Sequence, residues 1–406
     1  MHGRKRSELI KRVEECVSNA ARLMSKGEYE MALAELRDAY EAMRELPQAQ
    51  RLRGRKRRLW LSILIGLVHS LSALHRYDEA LTYTDIACAS FRRSSLCNLL
   101  RAQVLASLKR YKEALRDVKR AMKGCGGDSG AMLRLARIAF EAGEYSLAAE
   151  CCRGALARND GLVEAYLLLS ESLRRIGNVD EALNTIISAL SKGLTDVQLK
   201  ARAAELYHEL GELKKAVDML ESAAAESDDD SITIALAELH MELGNYAKVI
   251  EYCRKALSRI PDEPLLLDIL AFAHLQLGNL DEAIQILARL VHIAPTDTFT
   301  RFRLATLYHQ KGAYANAMRE YQHVLAMEPN GIFAESAKAA IQQLDEIQLE
   351  QVFMLTAEDP IFRAKLLRDP VKALQERGFH LTEATIEMLK STGLTPPRRG
   401  RNLPVV

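Results

Sequence analysis

The stretch LGNLDEA at residues 277–283 decides the fold, because versions of it recur along most of the chain. Each version carries a glycine or a substitute for it, and alanine follows five residues later in eight of nine cases. The nine positions are Gly27, His75, Lys109, Gly143, Gly177, Gly211, Gly244, Gly278 and Gly312. Their spacings are 48 and then 34, 34, 34, 34, 33, 34 and 34 residues. A fixed period of this size indicates an array of repeats.

Each period is typical of two helices joined by a tight turn, since glycine adopts positive φ without strain. His75 and Lys109 therefore predict a different or slightly strained turn. Seven residues before the turn the side chain is small in almost every repeat, which lets two helices approach closely. These residues are Ala20, Ala102, Ala136, Ser170, Ala204, Ala237, Ala271 and Ala305. Pro261, Pro295 and Pro329 close three successive repeats, where a helix has to stop.

This pattern resembles the tetratricopeptide repeat (TPR) family over about residues 10–330. The resemblance implies an all-α fold, a right-handed superhelix of about nine helix-turn-helix units, which we assign to residues 1–330. It also implies that the first helix of each pair lines a concave groove for an extended peptide or a partner's helix. The function expected from the resemblance is that of a non-catalytic adaptor or scaffold.

One apolar run, LWLSILIGLVHSLSAL at residues 59–74, follows four cations and raises the question of a membrane anchor. It is shorter than the 18–20 residues that a bilayer crossing needs, and it is in phase with the second repeat. We therefore interpret it as a repeat helix. The first spacing exceeds the usual one by fourteen residues, close to four helical turns. This predicts elongated helices in the first unit, with Pro47 at the turn between them.

Two groups stand out among the groove-lining positions that the resemblance implies, whereas the first three repeats offer mostly small and apolar groups, including Val17, Ile65, Leu99 and Gln103. The fourth to sixth repeats offer arginines that could bind ligand carboxylates or pair with glutamates of adjacent helices. The eighth and ninth offer apolar side chains that could form a binding pocket or belong to the core between repeats. The arginines are Arg134, Arg137, Arg174, Arg175 and Arg202. The second group is Leu265, Phe272, Leu275, Phe299, Phe302 and Arg303.

A carboxylate clamp of the kind found in chaperone-binding members of the family is not expected. The positions where those members carry lysine, asparagine or arginine hold Val17, Ala21, Gly66, Leu96 and Leu100. A basic cluster offers a different partner, an anionic membrane or nucleic acid. It consists of Arg51, Arg53, Arg55, Lys56, Arg57 and Arg58. Because no aromatic residues are interleaved for base stacking, a solvated helical face is the favoured interpretation.

The repeat period stops after Pro329. Residues 331–351 predict a helix that covers the last repeat. In residues 352–392, called the C-terminal segment below, Asp359-Pro360 and Asp369-Pro370 each predict a helix start. Thr382 predicts the start of a third helix. Three short helices would share a small core of Phe362, Leu366, Leu367, Leu374, Phe379, Leu381, Ile386 and Leu389. Residues 393–406 are expected to be disordered.

The C-terminal segment resembles the leader-peptide domains of nitrile-hydratase-like and nitrogenase-associated precursor peptides. The likeness rests on DPIFRAKLLRDPVKAL, residues 359–374, followed by GFHLTEATIEML, residues 378–389. It implies a recognition handle, and an accessory role in peptide maturation is the alternative function that it raises. A helical extension packed on the repeats is the other interpretation, because a unit this small is marginally stable alone.

The 406 residues contain no motif typical of phosphate binding, zinc-dependent hydrolysis or nucleophilic catalysis, and the ten histidines fall singly. The seven cysteines form no CxxC pair, and the net charge of +2 creates no field that would attract polyanions. We therefore expect a cytoplasmic protein that is not an enzyme and has no metal, cofactor or small-molecule substrate. Its expected partner is a protein or peptide.

Overall fold

The computed structural model describes residues 2–45, 54–125 and 127–392, and within these ranges all regular structure is α-helical. The prediction of an all-α fold is confirmed. The helices are α1 His2–Ser25, α2 Tyr29–Arg44, α3 Gly54–Ala73, α4 Tyr77–Ser90, α5 Ser95–Ser107, α6 Tyr111–Met122, α7 Ser129–Glu141, α8 Tyr145–Leu156, α9 Val163–Ile176, α10 Val179–Ser191, α11 Val197–Glu209, α12 Leu213–Ala224, α13 Asp230–Glu242, α14 Tyr246–Leu257, α15 Pro264–Gln276, α16 Leu280–Ile293, α17 Thr298–Gln310, α18 Tyr314–Met327, α19 Ala334–Glu358, α20 Pro360–Arg368, α21 Pro370–Glu376 and α22 Glu383–Thr392.

The chain forms two compact units, residues 1–219 and residues 220–406. In the first unit, each hairpin from α1/α2 to α9/α10 packs against the next. The hairpins α13/α14, α15/α16 and α17/α18 do the same in the second unit, where α19 follows on α18. First helices of neighbouring hairpins also touch, as α5 touches α7 and α13 touches α15. Each unit therefore presents a surface made of first helices.

All nine turn positions adopt positive φ, including the two that are not glycine. His75 has a φ of 58° and Lys109 a φ of 59°. In the Lys109 turn, the Arg110 N–H donates to the Leu105 carbonyl at 2.8 Å, which closes a Schellman motif. The corresponding hydrogen bond, from the N–H of the residue after the turn position to the carbonyl five residues before that residue, occurs at the other eight turns as well. The two substitutes therefore keep the turn and accept the strain, instead of forming a different one.

Replacing Lys109 with glycine should stabilise the first unit by about 0.5–1 kcal/mol, because the left-handed conformation costs an L-residue more than glycine. The Lys109 side chain is exposed, so its removal costs little packing. The change is measurable as a higher urea midpoint. Lys109→Ala is the matched control, since it removes the side chain and retains the strain; an equal gain from alanine would contradict the explanation.

The run at residues 59–74 belongs to α3 and is packed into the first unit. Ile63, Leu64, Leu67 and Leu71 are fully buried there. Among the described residues, no helix combines the length and apolarity needed to cross a bilayer. With 24 residues in α1 and 20 in α3, the first two hairpins contain longer helices than the 12–14 residues of the later pairs α5/α6 to α17/α18. Pro47 lies outside the described residues, as does the predicted tail at 393–406.

The C-terminal end differs from the predicted boundary at residue 351. Helix α19 runs uninterrupted to Glu358, because nothing between the two positions breaks a helix before Asp359-Pro360. Its second half contributes Leu349 and Val352 to the small core of the C-terminal segment. Both Asp-Pro pairs start helices as predicted, with each aspartate side chain accepting a hydrogen bond from the helix N-terminus.

One member of the predicted small core is wrong. Leu367 is 61% exposed, whereas Phe362, Leu366, Leu374 and Leu389 are buried. Phe362 and Leu366 are four residues apart and form the face of α20 that packs into this core. Leu367 lies on the other face of this nine-residue helix. The three remaining members are partly buried against the same core, which they share with α19.

Candidate functional site

The five predicted groove arginines stand on the first helices of three hairpins in the first unit. Arg134 and Arg137 are on α7, Arg174 and Arg175 on α9, and Arg202 on α11. Three of them converge on a single carboxylate of α9, that of Glu171. The alternative from the sequence, pairing with glutamates of the same and adjacent helices, therefore describes these three arginines.

The Glu171 carboxylate is the centre of this cluster, and its side chain is only 13% exposed. Arg174 donates two hydrogen bonds of 2.8 Å to it, Arg175 one of 2.8 Å, and Arg202 reaches across from α11 at 2.9 Å. Burial alone would raise the pKa of Glu171, but the hydrogen bonds of Arg174 and Arg175 and the charge of Arg202 outweigh it and hold this pKa at about 2. The cluster ties α9 to α11.

Neutralising Glu171 should destabilise the first unit by about 2 kcal/mol at neutral pH. The folded state lowers the carboxyl pKa from 4.5 to about 2, so it favours the ionised form. The contribution is complete above the unfolded-state pKa and is lost as the pH falls from about 4.5 towards 2. Urea midpoints of wild type and Glu171→Gln should therefore differ most at neutral pH and converge in acid. A difference that is constant across this range would contradict the assignment.

Arg134 and Arg137 are more accessible than the other three. The Arg137 side chain is 54% exposed and pairs with Glu164 on α9. Arg134 is 45% exposed, and its nearest carboxylate, Asp128, is 4.0 Å away. The charge of Arg134 also lowers the pKa of His69 on α3, although burial is the larger cause. Arg134 is therefore the groove arginine with the weakest intramolecular pairing. Its charge acts on His69 of α3, which is the first helix of another hairpin.

The second unit presents an apolar surface on its first helices, here called the aromatic surface and defined by Leu265, Phe272 and Phe299. Their side chains are 48%, 38% and 50% exposed, although all three are large and apolar. Leu265 and Phe272 stand seven residues apart, two turns along α15, and Phe299 is in the first turn of α17. Exposed apolar groups of this size on neighbouring helices make the aromatic surface a candidate for an interaction.

A charged pair lies within the aromatic surface. Arg303 on α17 forms an ion pair with Asp268 on α15, and its guanidinium carbon is 5.3 Å from the centre of the Phe299 ring. Asp268 lies on the same face of α15 as Phe272, four residues before it. The pair holds Arg303 in place, so a ligand that contacts Phe299 also meets a fixed guanidinium.

Two predicted members of this group are mainly packing residues. Phe302 meets the Tyr321 ring edge-on and stacks on Phe333, at centroid distances of 5.6 and 5.1 Å. Leu275 is partly buried against the core of the α15/α16 hairpin. Phe302 follows Phe299 by three residues, so both lie on one face of α17, and the sequence alone does not distinguish them. Phe333, which comes just before α19, contacts both rings, and Tyr321 covers Phe302 in addition.

The basic cluster is partly engaged within the protein. Arg55 forms an ion pair of 2.6 Å with Glu14, and the guanidinium of Arg57 stands 5.2 Å from the centre of the Phe91 ring. Lys56 and Arg58 belong to the same helix, whereas Arg51 and Arg53 lie outside the described residues. The described part of the cluster therefore serves the packing of α3 as well as solvation.

Several buried titratable groups lie in the core of the described residues. No three metal-binding side chains come together within the described residues. Burial raises the pKa of Cys88, Cys151, Cys152 and Cys253 to about 12, so these thiols stay protonated at neutral pH. His240 is 2% exposed and stacks on Tyr252, and burial lowers its pKa. It is a core residue, as its place in the repeat suggests.

Comparison with known proteins bears on the repeats. Tetratricopeptide repeat models match residues 65–130, 133–193, 167–232, 240–299 and 274–344. These matches end before the C-terminal segment, whose resemblance to leader-peptide domains gains no support from them. A solved structure of a TPR repeat-containing protein from Cytophaga hutchinsonii is 16% identical, with a TM-score of 0.51, and covers 59% of this chain and 98% of its own. It supports the fold alone.

Among curated proteins, the tetratricopeptide repeat protein 21 homolog of Caenorhabditis elegans is 24% identical over 236 residues, 55% of this chain and 18% of its own length. The Hsp70-Hsp90 organizing protein 2 of Arabidopsis thaliana is 24% identical over 278 residues, 64% of this chain and 46% of its own length. The chain therefore spans less than half the length of either relative.

Proposed function

Because the chain belongs to the tetratricopeptide repeat family, we propose that it is a non-catalytic, cytoplasmic adaptor that binds a partner protein or peptide. The aromatic surface is the principal contact. Proteins of this family mediate protein–protein interactions, and the three exposed apolar side chains of Leu265, Phe272 and Phe299 are the observation that carries the proposal. An aromatic side chain that loses water on binding contributes more free energy than most polar contacts.

The side chains of the aromatic surface indicate which chemical groups its ligand should carry. The partner should bring apolar side chains to Phe272 and Phe299 and a carboxylate or carbonyl oxygen to the guanidinium of Arg303, whose fork is held by Asp268. Arg134 in the first unit is a second polar contact for a partner of that unit. A chaperone-type carboxylate clamp is not part of the proposal, because Gly66 and Leu100 occupy positions where it needs donors.

The test removes two rings that contribute little to the core. Phe272→Ala/Phe299→Ala should weaken partner capture at least about tenfold, since each lost ring removes a contact of about 1–2 kcal/mol. Full-length protein is used for affinity purification from the native host, with partners quantified by mass spectrometry. The melting temperature should change little, because both side chains are more than a third exposed.

Leu277→Ala is the matched control. Leu277 is 47% exposed in the turn of the α15/α16 hairpin, away from the face that carries Phe272. It should retain the wild-type partners at the wild-type yield. If the double phenylalanine variant also captures the same partners at that yield, the aromatic surface is not the binding site.

A further inference from the structure

A recess lies near the C-terminal end of the described residues of the second unit, between α18, α19 and α22. It has a volume of about 710 Å³. Leu325 of α18 and Ala339 and Ile341 of α19 supply an apolar floor, and Ala384 of α22 completes it. Helix α22 is attached to α19 by hydrogen bonds from Thr382 and Thr385 to Asp345 and by Leu389, which shares a buried core with Leu349 and Val352.

The rim of the recess is acidic. Glu335 on α19 and Glu383 and Glu387 on α22 line it, and all three are exposed. The only cation among the described lining residues, Lys338, is already bound to Glu335 at 3.0 Å. The two carboxylates of α22 thus line a partly apolar recess and form no ion pair with any described residue. This combination favours a ligand that is both basic and apolar.

The chain itself contains such a sequence next to the recess. Residues 393–406, GLTPPRRGRNLPVV, follow α22 directly. They contain Arg398, Arg399 and Arg401 and no acidic residue, and they also contain leucine and valine. Charge and polarity are therefore complementary to those of the recess.

The distances allow this sequence to reach the rim. The nine steps from Glu383 to Thr392 rise about 14 Å along α22. The six steps from Thr392 to Arg398 span up to about 20 Å when extended. The first arginine can therefore return to the rim carboxylates of the same helix. A tether this short also gives an effective concentration on the order of millimolar, which favours the chain's own residues over those of a second copy.

We propose that the recess between α18, α19 and α22 binds residues 393–406 of the same chain, with the arginines against Glu383 and Glu387 and the apolar side chains on the floor. Bound in this way, the sequence would hold α22 against α19 in addition to the hydrogen bonds to Asp345, which lines the same recess. The proposal concerns a surface different from the aromatic surface and does not depend on it.

Hydrogen–deuterium exchange of the full-length protein tests the proposal. Arg398→Gln/Arg399→Gln/Arg401→Gln should raise the exchange rate of the α22 amides about fivefold or more, because α22 then opens without first releasing these residues. The matched control is Arg363→Gln/Arg368→Gln/Lys372→Gln, which removes three exposed cations from α20 and α21 that do not line the recess. Its α22 amides should exchange at the wild-type rate.

Charge reversal gives the second arm. Glu383→Lys/Glu387→Lys should also raise exchange in α22, and combining it with Arg398→Glu/Arg399→Glu/Arg401→Glu should restore much of the protection. The lysine changes could also raise exchange by weakening the N-terminus of α22. The arginine-to-glutamate changes cannot repair that defect, so recovery of protection in the combined variant shows that binding was lost and then restored. The proposal is overturned if the arginine variant exchanges like wild type, or if the reversed pair fails to recover. It is also overturned if wild-type protection disappears on dilution, since binding would then occur between two copies.

Discussion

Replacing Asp345 with alanine should detach α22 from α19 and destabilise the C-terminal segment by about 3 kcal/mol. Asp345 is 4% exposed, and its carboxylate accepts hydrogen bonds from the Thr382 N–H at 3.0 Å and the Thr385 hydroxyl at 2.7 Å. The Thr382 hydroxyl donates a third. The side chain therefore caps the N-terminus of a helix that lies 37 residues further along the chain. Alanine would leave the two hydroxyls and the amide without this acceptor.

Native-state hydrogen exchange measures this effect, because it resolves the opening of α22 from that of the repeats. The α22 amides should exchange much faster in Asp345→Ala, while those of α15 to α18 keep their rates. Glu346→Ala is the control, since Glu346 is the next residue of α19 and is exposed. Equal protection of α22 in wild type and Asp345→Ala would show that the segment is held by its apolar core alone.

Gln348 supports the same attachment from the next turn of α19. It is 1% exposed, and its amide both donates to the His380 carbonyl at 2.8 Å and accepts from the His380 N–H at 2.7 Å. The C-terminal segment is therefore built onto the repeats by buried side chains of α19. This favours the interpretation of a packed helical extension over that of a free recognition handle.

The repeats could be predicted from the sequence because their signals are local. The turn at Gly143 and the small residue at Ala136 recur at fixed offsets, and a hairpin needs only neighbouring residues to form. The same holds for the helix starts at Asp359-Pro360 and Asp369-Pro370. Each is a short-range hydrogen-bonding or steric preference that one sequence displays completely.

The remaining features depend on contacts between distant residues. Asp345 and Thr382 have nothing in their local sequence that marks them as partners. In the candidate site, Phe299 and Phe302 are equivalent by helical position, and the difference between them comes from Tyr321, which covers Phe302, whereas Phe333 contacts both rings. Likewise, Arg202 could have pointed to a ligand, and its pairing with Glu171 depends on how α9 meets α11.

The recurring small residues bring the two helices of a hairpin together. Ala136 on α7 and Ala148 on α8 are both fully buried in the same core cluster. Ser170 occupies the equivalent position to Ala136 in the next repeat and is also fully buried, and its hydroxyl has no hydrogen-bond partner among the described residues. The position therefore selects for small volume, and a polar group is tolerated there only at a cost.

Ala136→Leu should consequently destabilise the first unit by about 3 kcal/mol, although leucine is nearly as good a helix former as alanine. Three additional carbon atoms have no space between α7 and α8, so the hairpin must open or its neighbours must leave their preferred rotamers. Urea unfolding followed by circular dichroism measures the loss. Ala136→Ser is the control and should cost no more than about 1 kcal/mol, since Ser170 is accommodated at the same offset. If leucine and serine cost the same, close helix packing is not what this position controls.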